Sequence, residues 1–241
     1  MYGKWPRHAD ANVHSPTLGG WRWGDLWRWA SRVGVVRIVF IRHGQTRSNV
    51  GHLLDTAYPG APLNEVGLAQ AAGLPERLSG EPIEVVMTSD ITRARQTGLP
   101  LARALRVPLI THPGVREIFA GEWEMDTDWH KYVRVIESWP EDLTQSLPGG
   151  DNGERFFARF DAAIEGLVDY QCAAVVSHGG ALRSWLGRRC GLDSRSDRRW
   201  HLDNTDTVVV EGVPGDWTIL SWAGQEVDLT SQDGSREGSQ Q

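Results

Sequence analysis

Two apolar stretches of this chain end in the same way. Val35 to Ile41 is a nearly continuous apolar run, broken by Arg37, and it leads into Arg42-His43-Gly44. Ala173 to Val176 leads through Ser177 into His178-Gly179-Gly180. A short run that stays apolar at consecutive positions suits a strand covered on both faces, as in a parallel sheet packed between helices. Such sheets place their ligands beyond the carboxyl ends of the strands. Both histidines are therefore expected at one edge, where Gly44, Gly179 and Gly180 let backbone amides and helix starts approach an anion closely. One histidine at a strand end is more often a structural hydrogen-bonder than a catalyst; two at equivalent positions point to a site.

The remaining segments alternate accordingly. Ile83 to Met87 and Leu109 to Thr111 read as strands, and Thr205 to Val210 and Trp217 to Trp222 as two more, turning at Pro214-Gly215-Asp216. Asn64 to Leu78 has helical spacing with a break expected at Gly73 or Pro75. Asp90 is the expected cap of a helix reaching Leu105 with a bend at Pro100, and the stretches from Trp129 to Trp139, Gly153 to Tyr170 and Ala181 to Arg189 also read as helices. The fold class is α/β: a three-layer sandwich with a mostly parallel central sheet flanked by helices. Residues 1–34 hold five of the 12 tryptophans and are set apart as a Trp-rich N-terminal extension, partly ordered or flexible. The domain is expected over 35–228, and 229–241, rich in Ser, Gly, Gln and charge, as a disordered tail.

Composition narrows the function. A formal net charge of -6 over 241 residues disfavours nucleic acid as a partner and requires any phosphate site to be a local cluster of arginines. The only cysteines, Cys172 and Cys190, have neither disulfide-framework nor metal-ligand spacing, so no metal is expected and they read as filler in a reducing compartment. No apolar run is long enough to span a membrane, with Arg22, Asp25 and Arg28 interrupting the Trp-rich stretch, and no secretory signal is apparent. A cytoplasmic location is the expectation.

Arg42 adjoins the first histidine, and Arg93 follows the Ile83 to Met87 strand within Thr88-Ser89-Asp90-Ile91-Thr92-Arg93-Ala94-Arg95. Guanidinium groups match phosphate oxygens in bidentate fashion, so two of them flanking a histidine suggest a phosphoryl site. On spacing alone, a solvated helix face is the favoured reading of Arg93 and Arg95.

Arg42-His43-Gly44-Gln45-Thr46 with Asn49 resembles the signature of the histidine phosphatase superfamily, the phosphoglycerate mutase-like proteins. Pro62-Leu63-Asn64 through Gly67, Arg93-Ala94-Arg95-Gln96-Thr97, Glu117 ahead of Phe119-Ala120-Gly121-Glu122-Trp123-Glu124, and Ser177-His178-Gly179-Gly180 resemble its later blocks, in order. The resemblance covers roughly Val36 to Trp222. It implies a phosphatase in which His43 attacks phosphorus and forms a phosphohistidine, Glu117 serves as general acid, Arg42, Arg93 and His178 hold the phosphoryl oxygens, and Asn49, Thr46 and Gly179 add substrate contacts. It implies a small phosphorylated substrate and no cofactor. Two positions depart from the family pattern: Gly51 to Gly60 replaces an Arg-x-Gln-Gly segment, and Met125 stands where glycine is common. The alternatives are a phosphoglycerate mutase, disfavoured because Ile118-Phe119-Ala120 replaces the Arg-His-Tyr run that mutases carry after the acid, and a catalytically silent binding module. Trp129 and Trp139 are candidate pocket walls, with core or lid packing the plainer assignment. If the chain self-associates, a homodimer through a sheet edge is the expectation.

Overall fold

The structure is a computed structural model, and it describes residues 34–192 and 200–227. The Trp-rich extension and the C-terminal tail lie outside the described residues.

Strand β1 (Val36–Arg42) is followed by the short helices α1 (Arg47–Val50), α2 (Glu65–Ala72) and α3 (Leu74–Arg77), then β2 (Val85–Thr88), α4 (Thr92–Leu105) and β3 (Leu109–Thr111). Helices α5 (Trp129–Ser138) and α6 (Gly153–Glu165) precede β4 (Cys172–Ser177) and α7 (Gly179–Arg189), and β5 (Thr207–Val213), β6 (Asp216–Trp222) and β7 (Gln225–Glu226) complete the order. The strands form one sheet in the order β3-β2-β4-β1-β5-β6-β7. The first four are parallel, and β5 to β7 continue the sheet as an antiparallel meander.

The apolar run of β1 is explained by its two neighbours in the layers. Val36, Ile38 and Phe40 join one core with Phe156, Phe160 and Trp185 of α6 and α7. Val39 and Ile41 join the opposite core with Leu74, Ala94 and Leu101 of α3 and α4. Period-two alternation thus persists, but both faces are dry, so the polar half of the pattern is missing. The Trp185 ring packs 5.2 Å from Phe40 and 5.5 Å from Phe160 between centroids, and its indole N–H donates to Asp161 Oδ1 at 2.8 Å. Cys172 is buried and Cys190 partly so, and burial pushes both thiols up to about 12.

The Asn64–Leu78 stretch does break at Gly73, into α2 and α3. Helix α4 runs through Pro100 without interruption. One local expectation is corrected: Asp90 does not cap α4, whose cap residue is Ile91, without a side-chain bond. Asp90 instead takes a bidentate ion pair with Arg116, 2.6 Å to Nε and 2.5 Å to Nη2. A guanidinium partner outcompetes a weak backbone donor for a partly exposed carboxylate.

Among the described residues no helix is long and apolar enough to cross a membrane.

Candidate active site

The register pairs Arg42 with Ser177 across β1 and β4, so His43 and His178 leave the sheet side by side. Their rings lie 5.1 Å apart between centroids, and both are almost completely buried. His43 Nδ1 lies 2.7 Å from the Gly44 carbonyl and Nε2 lies 3.0 Å from Arg93 Nε. A carbonyl can only accept and a guanidinium can only donate, so Nδ1 carries the proton and Nε2 presents a lone pair. Burial, then the charges of Arg93 and Arg42, hold the His43 imidazole well below its ordinary pKa. The same causes, burial first and then Arg93, hold His178 neutral.

Arg93 reaches this point from the first turn of α4. Its Nη2 donates to the Asp55 carbonyl at 2.7 Å, and its Nη1 lies 3.5 Å from the Asp55 carboxylate. The Asp55 carboxylate also accepts from Ser48 Oγ at 2.6 Å and Ala61 N at 3.0 Å, which ties the Gly51 to Gly60 loop to α1. Gly60, at φ +65, leaves the space: a Cβ there would meet Arg93 Nη1 at 2.5 Å.

Arg42 donates from Nη1 to the Leu202 carbonyl at 2.5 Å, while its buried Nε and both ring nitrogens of His178 have no hydrogen-bond partner within the protein. Three buried polar atoms without partners, around a histidine lone pair and beside two guanidinium groups, mark a place built for an anion. Gly179 serves by its smallness, since a Cβ would sit 3.2 Å from Arg42 Nε.

The expectation that Gly44 and Gly180 offer amides to an anion is corrected. Gly44 N donates to Thr97 Oγ1 at 3.0 Å. Gly180 N and Ala181 N donate to Glu117, at 3.0 Å to Oε2 and 2.6 Å to Oε1, and Ile118 N adds a bond of 2.9 Å to Oε1. The positive end of α7 is thus occupied by Glu117, which it fixes at the rim of the pocket. Arg116 is turned away to Asp90, so it does not neutralise Glu117.

Thr46 and Asn49 hold each other in a capping box at the start of α1, through two bonds of 3.1 Å. Because Asn49 Oδ1 is used there and by Asn204 Nδ2 at 3.3 Å, the amide nitrogen is the group left for the cavity that Asn49 lines. Thr46 lines it too. Asn204 Nδ2 also donates to the His43 carbonyl at 2.9 Å. Asn204 went unseen in the sequence, since it lies 161 positions from His43 in an irregular segment without periodic pattern. Asp55, in the Gly51 to Gly60 segment, orients Arg93. Trp129 and Trp139 both line the cavity, Trp139 from a core position and Trp129 with 38% of its surface exposed. Tyr58 does not line it and packs over the Arg116 guanidinium.

An α/β fold with paired histidines, a buried Arg93 and a partly buried Arg42 at the carboxyl edge of its parallel strands defines the protein as one equipped to hold a phosphoryl-like anion against a neutral imidazole. Residues 38–225 match the histidine phosphatase superfamily (branch 1), and the chain belongs to that superfamily. It is 31% identical to the adenosylcobalamin/alpha-ribazole phosphatase of Salmonella typhimurium over 69% of this chain and 84% of that one. It is 25% identical to the "Probable phosphoglycerate mutase GpmB" of Yersinia pestis over 78% of this chain and 90% of that one. Among solved structures it is similar to the alpha-ribazole phosphatase of Shigella flexneri, with a TM-score of 0.64, 25% identity, and coverage of 80% and 99%.

Proposed function

We propose that this chain hydrolyses phosphomonoesters of small metabolites through a phosphohistidine on His43. The observation that carries the reading is the hydrogen-bonded tautomer of His43, which aims an Nε2 lone pair at a space flanked by Arg42 Nε, Arg93 and the His178 ring. In that space the phosphate oxygens take the donors of Arg42, Arg93, His178 and the Asn49 amide. Arg93 then yields the Nε2 lone pair to phosphorus. As the Nε2–P bond forms, the P–O bond to the alcohol breaks, and the departing oxygen takes its proton from Glu117, which enters the step protonated after taking up the proton of the bound monoanionic ester. Water attacks the phosphohistidine with its proton passing to Glu117, and orthophosphate and the free imidazole are regenerated. Preoriented positive donors stabilise the charge spread over the equatorial oxygens. Thr46 acts through Asn49, and Gly179 by admitting Arg42. The resemblance to phosphatases of the superfamily and the absence of the mutase Arg-His-Tyr run after Glu117 favour hydrolysis over returning the group to substrate. A cytoplasmic site of action fits the two unbridged thiols.

The test is phosphate release from an aryl phosphate with chelator present. The intact protein is expected to turn over, and His43→Ala to lose activity by about 10³-fold or more. Undiminished release from the variant would remove His43 from the reaction.

A further inference from the structure

The cavity continues well past His43. Its volume is about 730 Å³, several times what a phosphoryl group fills, and its walls change character away from the histidines. Helix α5 contributes Trp129, Val133 and Ile136, spaced as one helical face, and Leu53, Leu192 and Leu202 contribute further hydrocarbon. Trp129 and Val133 are 38% and 36% exposed, large apolar surface left uncovered on the lining of a cavity. The Trp129 indole N–H is already used on the His52 carbonyl at 2.7 Å, and its ring meets Tyr132 edge-on at 5.9 Å. The side chain is therefore held in place, and what it offers to a ligand is its aromatic surface.

Four arginines face three carboxylates, of which Arg42, Arg93, Asp55 and Glu117 belong to the phosphoryl end. Arg183 carries the charge of Glu137 as its counterpart, and Arg188 lies over the Phe157 ring at 5.2 Å. Among the described residues, Arg183 and Arg188 are the arginines that line the cavity beyond the phosphoryl end.

Building on the phosphatase reading, we propose that the preferred substrate is a monoester whose alcohol carries an uncharged aromatic body, seated against Trp129 and Val133. Desolvating a ring against these side chains contributes binding that an alkyl chain of one or two carbons cannot.

Ethyl phosphate and 2-phenylethyl phosphate share a primary alkoxide leaving group and differ in the ring alone, so their kcat/KM ratio reads the apolar wall without changing the chemistry. With the full chain, the ratio is expected to favour the phenylethyl ester about tenfold or more. It should shrink in Trp129→Ala and also in Val133→Ser, which disturbs no side-chain hydrogen bond. 3-Phosphoglycerate, which carries no ring, is expected to be poorer than the phenylethyl ester. Equal rates for the two monoesters, a ratio unmoved by both substitutions, or a preference for 3-phosphoglycerate would each overturn the substrate assignment while leaving a phosphatase in place. If none of the three releases phosphate from the folded protein, the phosphatase reading fails and this inference with it.

Discussion

At the scale of residues, the site is organised around one lone pair. The Gly44 carbonyl fixes the proton of His43 on Nδ1, and Arg93 covers Nε2; in the proposed reaction a phosphate draws the guanidinium away. Asp55 governs how readily this happens, because its carbonyl and carboxylate hold the other two nitrogens of Arg93. Asp55→Asn retains an acceptor for Ser48 and Ala61 but removes a buried negative charge beside the phosphoryl end. Inorganic phosphate should therefore inhibit the variant at a concentration about threefold to tenfold lower than the parent, with kcat reduced because the guanidinium is less firmly aimed. An unchanged inhibition constant in a steady-state assay would mean that Asp55 merely fills the loop. Protonation follows a similar logic. Burial, then the positive charge of Arg93, keeps His43 and His178 neutral in the folded chain well below their ordinary pKa near 6.5, while the unfolded chain protonates them there. The unfolded state therefore binds more protons as pH falls through 6.5, and stability declines on the acid side by about 1 kcal/mol per pH unit for each ring. Urea unfolding at pH 7.5 and 5.5 should show this loss, and His178→Gln should lessen it; an identical pH slope in the variant would place the effect elsewhere.

At the scale of elements, two strand ends and one helix start build the machinery. Because β1 and β4 are adjacent, parallel and in register, the two His-Gly endings converge, and Glu117 is delivered to the amino end of α7 by the chain that follows β3. The convergence of the histidines was legible because doubly buried strands leave a continuous apolar run in the sequence. The destinations of Asp90, Gly44 and Gly180 were not: each reads locally as a cap or an anion donor, and each is claimed by a distant partner, Arg116, Thr97 and Glu117 respectively. Asn204 left no trace either, since a single amide in an irregular segment has no periodicity. Met125 lies in the loop past Glu117. Met125 holds φ 63, the left-handed region, and its N–H donates to the Leu54 carbonyl at 2.9 Å, joining this loop to the Gly51 to Gly60 segment. Glu124 reinforces the junction by accepting from Thr56 N at 2.8 Å and Ala57 N at 2.9 Å. A non-glycine residue is strained there, so Met125→Gly should raise stability by about 0.5–1 kcal/mol in chemical denaturation. A loss of stability would show instead that the half-exposed Met125 side chain contributes packing that outweighs the strain.

At the scale of the whole molecule, a sheet with a dry core on each face holds the carboxyl edge rigid, and the pocket is assembled on that edge from segments far apart in the chain. Its parts divide in two: a phosphoryl end of histidines, arginines and two carboxylates, and an apolar extension built chiefly on α5. The central claim is that the phosphoryl group passes through His43. The most direct measurement is to quench the protein with acid-sparing denaturant during turnover of a phosphomonoester and locate the label by peptide mass. One phosphoryl group on His43, labile to acid, stable to base and absent from His43→Ala, is the predicted result. Turnover with no label on His43 under conditions that preserve phosphohistidine, or a label on another side chain that survives in His43→Ala, would contradict the account.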